Sequence, residues 1–402
     1  MGKRILVTAT TFPRWEGDTE PAFVYFLSRL LAKKGHKIIN LVPHHPGAKK
    51  YEERDGMKIY RLRYFFEKHQ KLCYDGGILE NLKRSNLARI QVPFLFISEF
   101  LYIIKIIKKE KIDFIHAHWI LPNGFIAAIV KKLYGVPFLS TAHAGDIFPL
   151  KKNILKNFAR FTIKNSYYTT VNSNFTKNCI LELFNTKDIE LIPMGVNLKD
   201  FSPKKKDTKL RKKYGVKGNF ILFVGRLAKK KGVEYLIRAM PIILKKLSES
   251  KLIIIGDGPE MKKLTGLTKS LNLEDSVVFI GKMRNKDLPK FYATADIFIG
   301  PSVITEEGDT EGLGITFLEA MASGTCVIGS NVGGIPDIIK QNKTGILVEQ
   351  KNPNQLAEAA VNLLKNKKLQ KKLIKNAIKH IKNTYSWDIV SSKFSRIYAK
   401  VG

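Results

Sequence analysis

Two glutamates eight positions apart, Glu311 and Glu319, bracket the triplet Gly312-Leu313-Gly314. A glycine-rich turn that enters a helix points backbone N–H groups outward, and such groups bind phosphate. The small-residue run from Ile315 onward reads as that helix, so Glu311 falls before it and Glu319 inside it. Carboxylates in these two places can hold sugar or ribose hydroxyls while the amides hold a diphosphate between them. An isolated pair at this spacing is more often one solvated and one helix-capping glutamate, so the surrounding motifs decide the reading.

Four other clusters bear on it. Gly225-Arg226 closes an apolar run, and Lys229-Lys230-Lys231-Gly232 follows before a helical segment. That order puts Arg226 and Lys231 at a strand's carboxyl end beside a helix N-terminus, where two cations could clamp a diphosphate. Gly256-Asp257-Gly258-Pro259 follows another apolar run; its glycines permit a tight turn and close approach to a ligand, or form a plain turn. In the first half, His143-Ala144-Gly145-Asp146 follows a strand-like run, while His116 and His118 alternate around Ala117 one run earlier and read as packing. The turn Phe12-Pro13-Arg14-Trp15-Glu16-Gly17-Asp18 follows the first apolar run. Ser173 and Ser302 have no triad-like surroundings, and no Asp-x-Asp pair lies near the glutamates.

These residues need scaffolds, and the chain is long enough to supply two. It has 402 residues with 44% hydrophobic content, enough for two cores. Short Ile- and Val-rich runs alternate with helical segments throughout, the pattern of parallel strands covered on both faces. Runs such as 4–8, 37–42, 114–117 and 138–141 occupy the first half; 220–224, 251–255, 277–280, 297–299 and 325–329 occupy the second. The turn-rich stretch 193–203 is the seam. We therefore expect an α/β protein of two Rossmann-like, doubly wound domains facing across a cleft, with residues 1–196 in the first and the second beginning at 197. Ligands in such sheets bind beyond the carboxyl ends of the strands. Residues 64–93 show no clear period and read as an irregular insertion rather than core.

The formal charge of +34 is spread evenly: 32 basic and 17 acidic residues through Asp200, 37 and 18 after it, giving +15 and +19. An even spread and the lack of a recognisable module argue against a nucleic-acid face. The charge then reads first as a solvated, Lys-rich surface, with attraction to anionic lipid headgroups or anionic substrates as the functional alternative. The three cysteines, Cys73, Cys179 and Cys326, have no ligand spacing and suggest a reducing compartment. The N-terminus reads as a strand rather than a signal peptide. These features predict a cytoplasmic protein.

Taken together and in order, Gly35–Ile38 (GHKI), HAGD, IPMGVN, GRLAKKKG, GDGP, EGLGITFLEAMASG and the final TYSWDIVSSKFSRIYAKV resemble the retaining glycosyltransferases of family 4, which have the GT-B architecture of two Rossmann-like domains. The resemblance spans nearly the whole chain. It implies that the last helix, within residues 385–402, crosses back onto the first, acceptor-binding domain and leaves 197–384 as the second, donor-binding one. It also implies that Arg226 and Lys231 bind the donor diphosphate. Gly312, Leu313, Gly314 and Ile315 would form the turn that contacts phosphate and sugar. Glu311 would touch the donor sugar, Glu319 would hold the ribose, and His143, accompanied by Asp146, would lie near the transferred sugar. Gly225, Gly256 and Gly258 would line the donor site, and the backbone around Met283 would read the base. Gly17 and Asp18, in the first loop, would face the cleft and contact the donor, although Asp18 stands where the family often has a second glycine. The Glu306-Glu307-Gly308-Asp309-Thr310 run is similar to a subgroup of exopolysaccharide and lipopolysaccharide transferases.

The implied reaction moves a sugar from a UDP-sugar, or less often a GDP-sugar, to a hydroxyl of a glycan or lipid-linked acceptor, with retention and with no metal or cofactor. A sugar phosphorylase and a nucleotide-sugar epimerase share the architecture and are the alternative enzymes; a basic peripheral membrane protein is the alternative without catalysis. Residues 94–109 read as a helix with aromatic and aliphatic residues on much of its surface and lysines near its end, which suits either core packing or a membrane surface.

Overall fold

In the computed structural model the described residues are 2–147, 150, 153–184, 186 and 189–401. The chain divides into two compact units, residues 1–193 with 390–402, and residues 194–389.

The first unit opens with β1 (Arg4–Thr8), α1 (Phe23–Lys33), β2 (Lys37–Pro43), β3 (Tyr51–Arg54), β4 (Met57–Leu62), α2 (Ile78–Arg84) and α3 (Asn86–Glu110). It continues through β5 (Phe114–His118), α4 (Phe125–Tyr134), β6 (Phe138–Ala142), α5 (Asn153–Asn165), β7 (Thr169–Val171), α6 (Asn174–Leu183) and β8 (Ile189–Leu191). The strands form one sheet in the order β3-β4-β2-β1-β5-β6-β7-β8. Every pairing is parallel except β3 with β4, an antiparallel edge hairpin. Its turn, Asp55-Gly56, has positive φ at both residues (52° and 74°), the conformation a tight hairpin needs.

Residues 64–93 are not the irregular insertion that their lack of period suggests. Tyr64, Leu72, Cys73 and Tyr74 are buried in the unit's core, and the segment includes α2 and the first turns of α3. The Tyr64 hydroxyl meets the backbone N–H groups of Leu72 and Cys73 at 3.2 Å, which closes the loop on itself. α3 begins eight residues before the expected start because Ser85 caps it, accepting the Ala88 N–H. It runs through Pro93 and reaches 25 residues, and among the described residues it is the one helix long and apolar enough to cross a membrane. Its buried side chains, Ala88, Gln91, Leu95, Glu99, Ile103 and Ile106, recur every three or four residues and face the core.

The second unit contains α7 (Lys209–Lys213), β9 (Phe220–Val224), α8 (Val233–Lys246), β10 (Lys251–Ile255), α9 (Met261–Ser270), β11 (Val277–Gly281), α10 (Leu288–Thr294) and β12 (Ile297–Gly300). After these come α11 (Ile315–Ala322), β13 (Cys326–Ser330), α12 (Ile335–Ile338), β14 (Ile346–Val348), α13 (Pro353–Lys365) and α14 (Lys367–Thr384). Its sheet is wholly parallel, in the order β11-β10-β9-β12-β13-β14. Numbered within the unit this is 3-2-1-4-5-6, a Rossmann order that reverses between β9 and β12. The central strands β9 and β12 are buried throughout, which explains their unbroken apolar runs. The last helix, α15 (Trp387–Lys400), ends the chain, which rejoins the first unit at Val390. There Tyr398 is buried and its hydroxyl lies 2.6 Å from His116 Nδ1.

Candidate active site

The order reversal of the second unit lies between β9 and β12, and the loops leaving these two strands carry Arg226, Lys231 and Glu311. Gly232 enters α8 with φ +60°, and a Cβ there would lie 2.0 Å from the Pro301 carbonyl oxygen. The β9 loop therefore sits directly on the end of β12, and the Val303 N–H reaches the Lys230 carbonyl at 2.8 Å. This approach brings the basic loop onto the acidic one. Lys231 Nζ pairs with Glu311 Oε2, and Lys230 Nζ lies 3.1 Å from Asp309 Oδ1. Burial works to raise the Glu311 carboxyl, but the Lys231 and Lys230 ammonium groups and the Leu313 N–H hold it below its ordinary range. Glu311 is thus an anion already neutralised by lysine.

The glycine-rich turn follows at once. Gly314 has φ +92° and forms the N-cap of α11, which no side chain caps. The helix start therefore presents backbone N–H groups beside the Lys231–Glu311 pair. Ile315 opens this helix, and Leu313 is buried. Gly333 and Gly334 clamp the turn from behind: a Cβ on either would meet the carbonyl oxygen of Glu311 or Gly312 at 2.1 Å.

Glu319 lies one turn along α11 and accepts a 2.7 Å hydrogen bond from the Tyr292 hydroxyl. Burial raises its carboxyl to about 7, and the Tyr292 bond offsets only part of that. Tyr292, on α10, has no exposed surface and is packed between Phe201 and Phe298. It gave no signal in the sequence.

Gly256 and Gly258 lie directly against backbone, while a Cβ on Gly225 would meet the Phe223 ring at 3.3 Å. A Cβ at Gly256 would lie 1.8 Å from the Gly225 oxygen, and one at Gly258 would lie 2.4 Å from the Leu227 oxygen. Hydrogen bonds Gly225 N–H to Ile255 O, Leu227 N–H to Asp257 O and Gly256 N–H to Gly281 O stitch three strand-end turns together. These glycines hold the β9 turn, and Arg226 on it, in place. Met283 follows β11 on the outermost of these turns.

The first unit has its own order reversal, between β1 and β5; Gly17 and Asp18 follow β1, while His143 and Asp146 follow β6, the next strand beyond β5. Asp146 accepts the backbone N–H groups of Ile120 (2.7 Å) and His143 (3.0 Å). It thereby fixes the loops after β5 and β6 to each other. Burial raises its carboxyl to about 6. His143 Nε2 lies 2.9 Å from His118 Nδ1, and the ring is flanked by Phe23 and Trp119. Burial pushes His143 down to about 3, so the imidazole is neutral at ordinary pH. His116 is held between Tyr398 and Thr141. Asp18 is turned inward: both of its oxygens bind the Arg14 guanidinium at 2.9 Å, and it also accepts the Arg14 and Thr19 N–H groups. Burial opposes ionisation, but Arg14 holds the carboxyl at about 2. Asp18 therefore braces the turn, and Gly17 sits at its tip with φ +76°. Among the described residues, no group of three or more His, Cys, Asp or Glu is placed to hold a metal ion.

The sequence matches two family models end to end, Glycosyltransferase Family 4 over residues 22–200 and Glycosyl transferases group 1 over residues 206–380. An uncharacterised glycosyltransferase of Methanocaldococcus jannaschii is 30% identical over 297 residues, covering 74% of this chain and 78% of that protein. A GDP-mannose-dependent alpha-(1-6)-phosphatidylinositol monomannoside mannosyltransferase of Mycobacterium tuberculosis is 26% identical over 369 residues, covering 90% and 89%. The Anabaena HepE structure in complex with UDP and glucose aligns with TM-score 0.76 and 17% identity, over 99% of each chain. The chain belongs to glycosyltransferase family 4 and has the GT-B fold.

Proposed function

We propose that the second unit binds a nucleoside-diphosphate sugar and that the enzyme transfers the sugar, with retention, to a hydroxyl of a glycan or lipid-linked acceptor bound by the first unit. The reaction belongs to the building of a cell-surface polysaccharide or glycolipid. The observation that carries this reading is the meeting of Lys231, Glu311 and the uncapped α11 start at the β9/β12 reversal. A UDP-sugar is the first donor to test, in line with UDP in the HepE structure. A GDP-sugar is the second, favoured by the GDP-mannose-dependent relative.

In this reading Arg226, Lys231 and the helix N–H groups receive the negative charge that grows on the leaving diphosphate, electrostatic stabilisation of a preorganised kind. The anomeric carbon–oxygen bond to the diphosphate breaks and the acceptor oxygen bonds to that carbon from the same face. The acceptor proton passes to the departing phosphate oxygen. Double displacement with Glu311 as nucleophile ranks second, because a carboxylate already paired with Lys231 is a poor nucleophile. Glu319 suits ribose hydroxyls, which donate to a carboxylate already oriented by Tyr292. His143, neutral and fixed by His118, can hydrogen-bond a sugar hydroxyl without adding charge.

A panel of UDP- and GDP-sugars, read by nucleotide release and thermal shift, tests the donor. Proton NMR of the product's anomeric centre tests retention. An inverted product refutes front-face transfer. A panel with no response, together with a Glu319→Ala variant that behaves like the wild type, refutes the donor site.

A further inference from the structure

The core-facing side of α3 leaves its other side in solvent, and that side is apolar. Ile90, Phe94, Ile97 and Leu101 are 58%, 45%, 58% and 58% exposed. Their spacing of four, three and four residues places all four on one narrow line of the helix. The line extends about 16 Å, at about 1.5 Å per residue. Phe65 packs on Phe94 at 5.4 Å and on Phe66 at 5.2 Å, and Phe66 is itself 72% exposed, so the loop after β4 widens the stripe. The second unit, by contrast, exposes only Ile304 and Ile389 among its described large hydrophobic residues. A folded surface does not usually concentrate apolar side chains in this way without a partner.

Charge selects the partner. The remaining exposed residues of α3 are Asn86, Arg89, Pro93, Lys105, Lys108 and Lys109, with no carboxylate among them. The helix's two acids are directed elsewhere: Glu99 is buried and bonded to Asn123 at 2.9 Å, and Glu110 pairs with Lys58 at 2.8 Å. On α2, Lys83 and Arg84 are exposed and share one acid, Glu80, at 3.8 Å each, so that helix adds a single net positive charge. An apolar stripe bounded by cations fits the boundary between anionic headgroups and acyl chains. A second copy of the chain fits poorly, since it brings the same net charge of +34. The helix lies along such a surface and does not cross it, because its other face is tied into the unit. Gln91 binds the Lys71 N–H at 2.9 Å and the His69 carbonyl at 2.6 Å, and Leu95, Ile103 and Ile106 lie in the core.

We propose that the exposed face of α3, with Phe66 beside it, docks the protein on an anionic lipid surface. The stripe enters the headgroup region, and Arg89, Lys105 and Lys108 contact lipid phosphates. This docking is separate from the donor site and can be tested without turnover.

The test is co-sedimentation of the full chain with vesicles of two parts phosphatidylcholine to one part phosphatidylglycerol, and with pure phosphatidylcholine. Ile97→Gln with Leu101→Gln removes the centre of the stripe, and both positions face solvent, so the melting temperature should stay at the wild-type value. We expect wild-type binding to the anionic vesicles, a loss of more than about tenfold in the double variant, and a loss of roughly fivefold for each of Arg89, Lys105 and Lys108 changed to Gln. Three results overturn the proposal: wild type that does not bind, a stripe variant that binds like wild type, or equal binding to the neutral vesicles. Sedimentation equilibrium supplies a fourth, a wild-type dimer that the stripe variant dissolves, which would assign the face to a second copy.

Discussion

Glu319 gives the most exacting test of the donor site, because its carboxyl is raised to about 7 from an ordinary 4.5. The folded value lies above the unfolded one, so the folded protein binds this proton more tightly. The resulting stability is fully present below about pH 4.5 and is lost as the pH rises through about 7. At about 1.4 kcal/mol per unit, the carboxyl's loss across that window amounts to roughly 3 kcal/mol. Glu319→Gln is neutral at every pH and still offers an oxygen to the Tyr292 hydroxyl. Without donor, the variant should therefore gain on the wild type by about 3 kcal/mol between acid and alkaline conditions. For a domain of this size that is on the order of 6–12 °C in melting temperature. Scanning fluorimetry of both proteins across a pH series reads it, and groups common to both cancel in the difference. A difference that stays flat with pH refutes the buried, uncompensated carboxyl. With donor present the order should reverse. A ribose that donates to the anion favours ionised Glu319, so wild-type affinity falls as the pH drops below about 7, while the variant binds weakly at all pH values.

Four further outcomes follow from the same geometry. Arg226→Ala should lower turnover by on the order of a hundredfold, about 3 kcal/mol in the transition state, with little change in melting temperature; normal turnover removes Arg226 from the diphosphate site. Tyr292→Phe removes the one hydrogen bond that favours the Glu319 anion, so the pH midpoint for donor binding should move upward, as a titration of donor affinity will read. Gly256→Ala places a Cβ against the Gly225 oxygen and should destabilise the protein by roughly 3 kcal/mol or more, with chemical denaturation as the measure. The His143 ring resonances should show no titration in NMR between about pH 5 and 9, because burial keeps the imidazole neutral across that range; a midpoint near 6.5 refutes that environment.

The parts of this protein that were legible in the sequence are those determined by short stretches of chain. The inner strands of both sheets show as apolar runs because they are parallel and buried on both faces. The turn at Gly312-Leu313-Gly314 shows because only certain residues enter a helix that way. The β3–β4 hairpin has a local signal too, Asp55-Gly56 between strand-like residues, a strong tight-turn pair, although its edge strand β3 is charged and half exposed. Residues 64–93 misled for a different reason. Their order comes from Tyr64, Gln91 and Tyr74 reaching across the chain, and such contacts leave no period to read.

The site itself divides along the same line. Lys231 and Glu311 were each recognisable, but their pairing depends on Gly232 lying against Pro301, 69 positions later, and no local rule reveals that. Asp18 reads as a loop carboxylate open to a ligand, yet Arg14 four positions earlier claims both of its oxygens. Tyr292 is the clearest case. It sits in an ordinary apolar helix, and its hydroxyl donates to Glu319 on α11, the next helix, beyond β12. Its ring must also be enclosed by Phe201 and Phe298 for that hydroxyl to be held in place. Composition and spacing cannot register such a residue, because its role is created by burial. The same burial sets the Glu319 carboxyl near neutrality, where binding a nucleotide sugar can decide its charge.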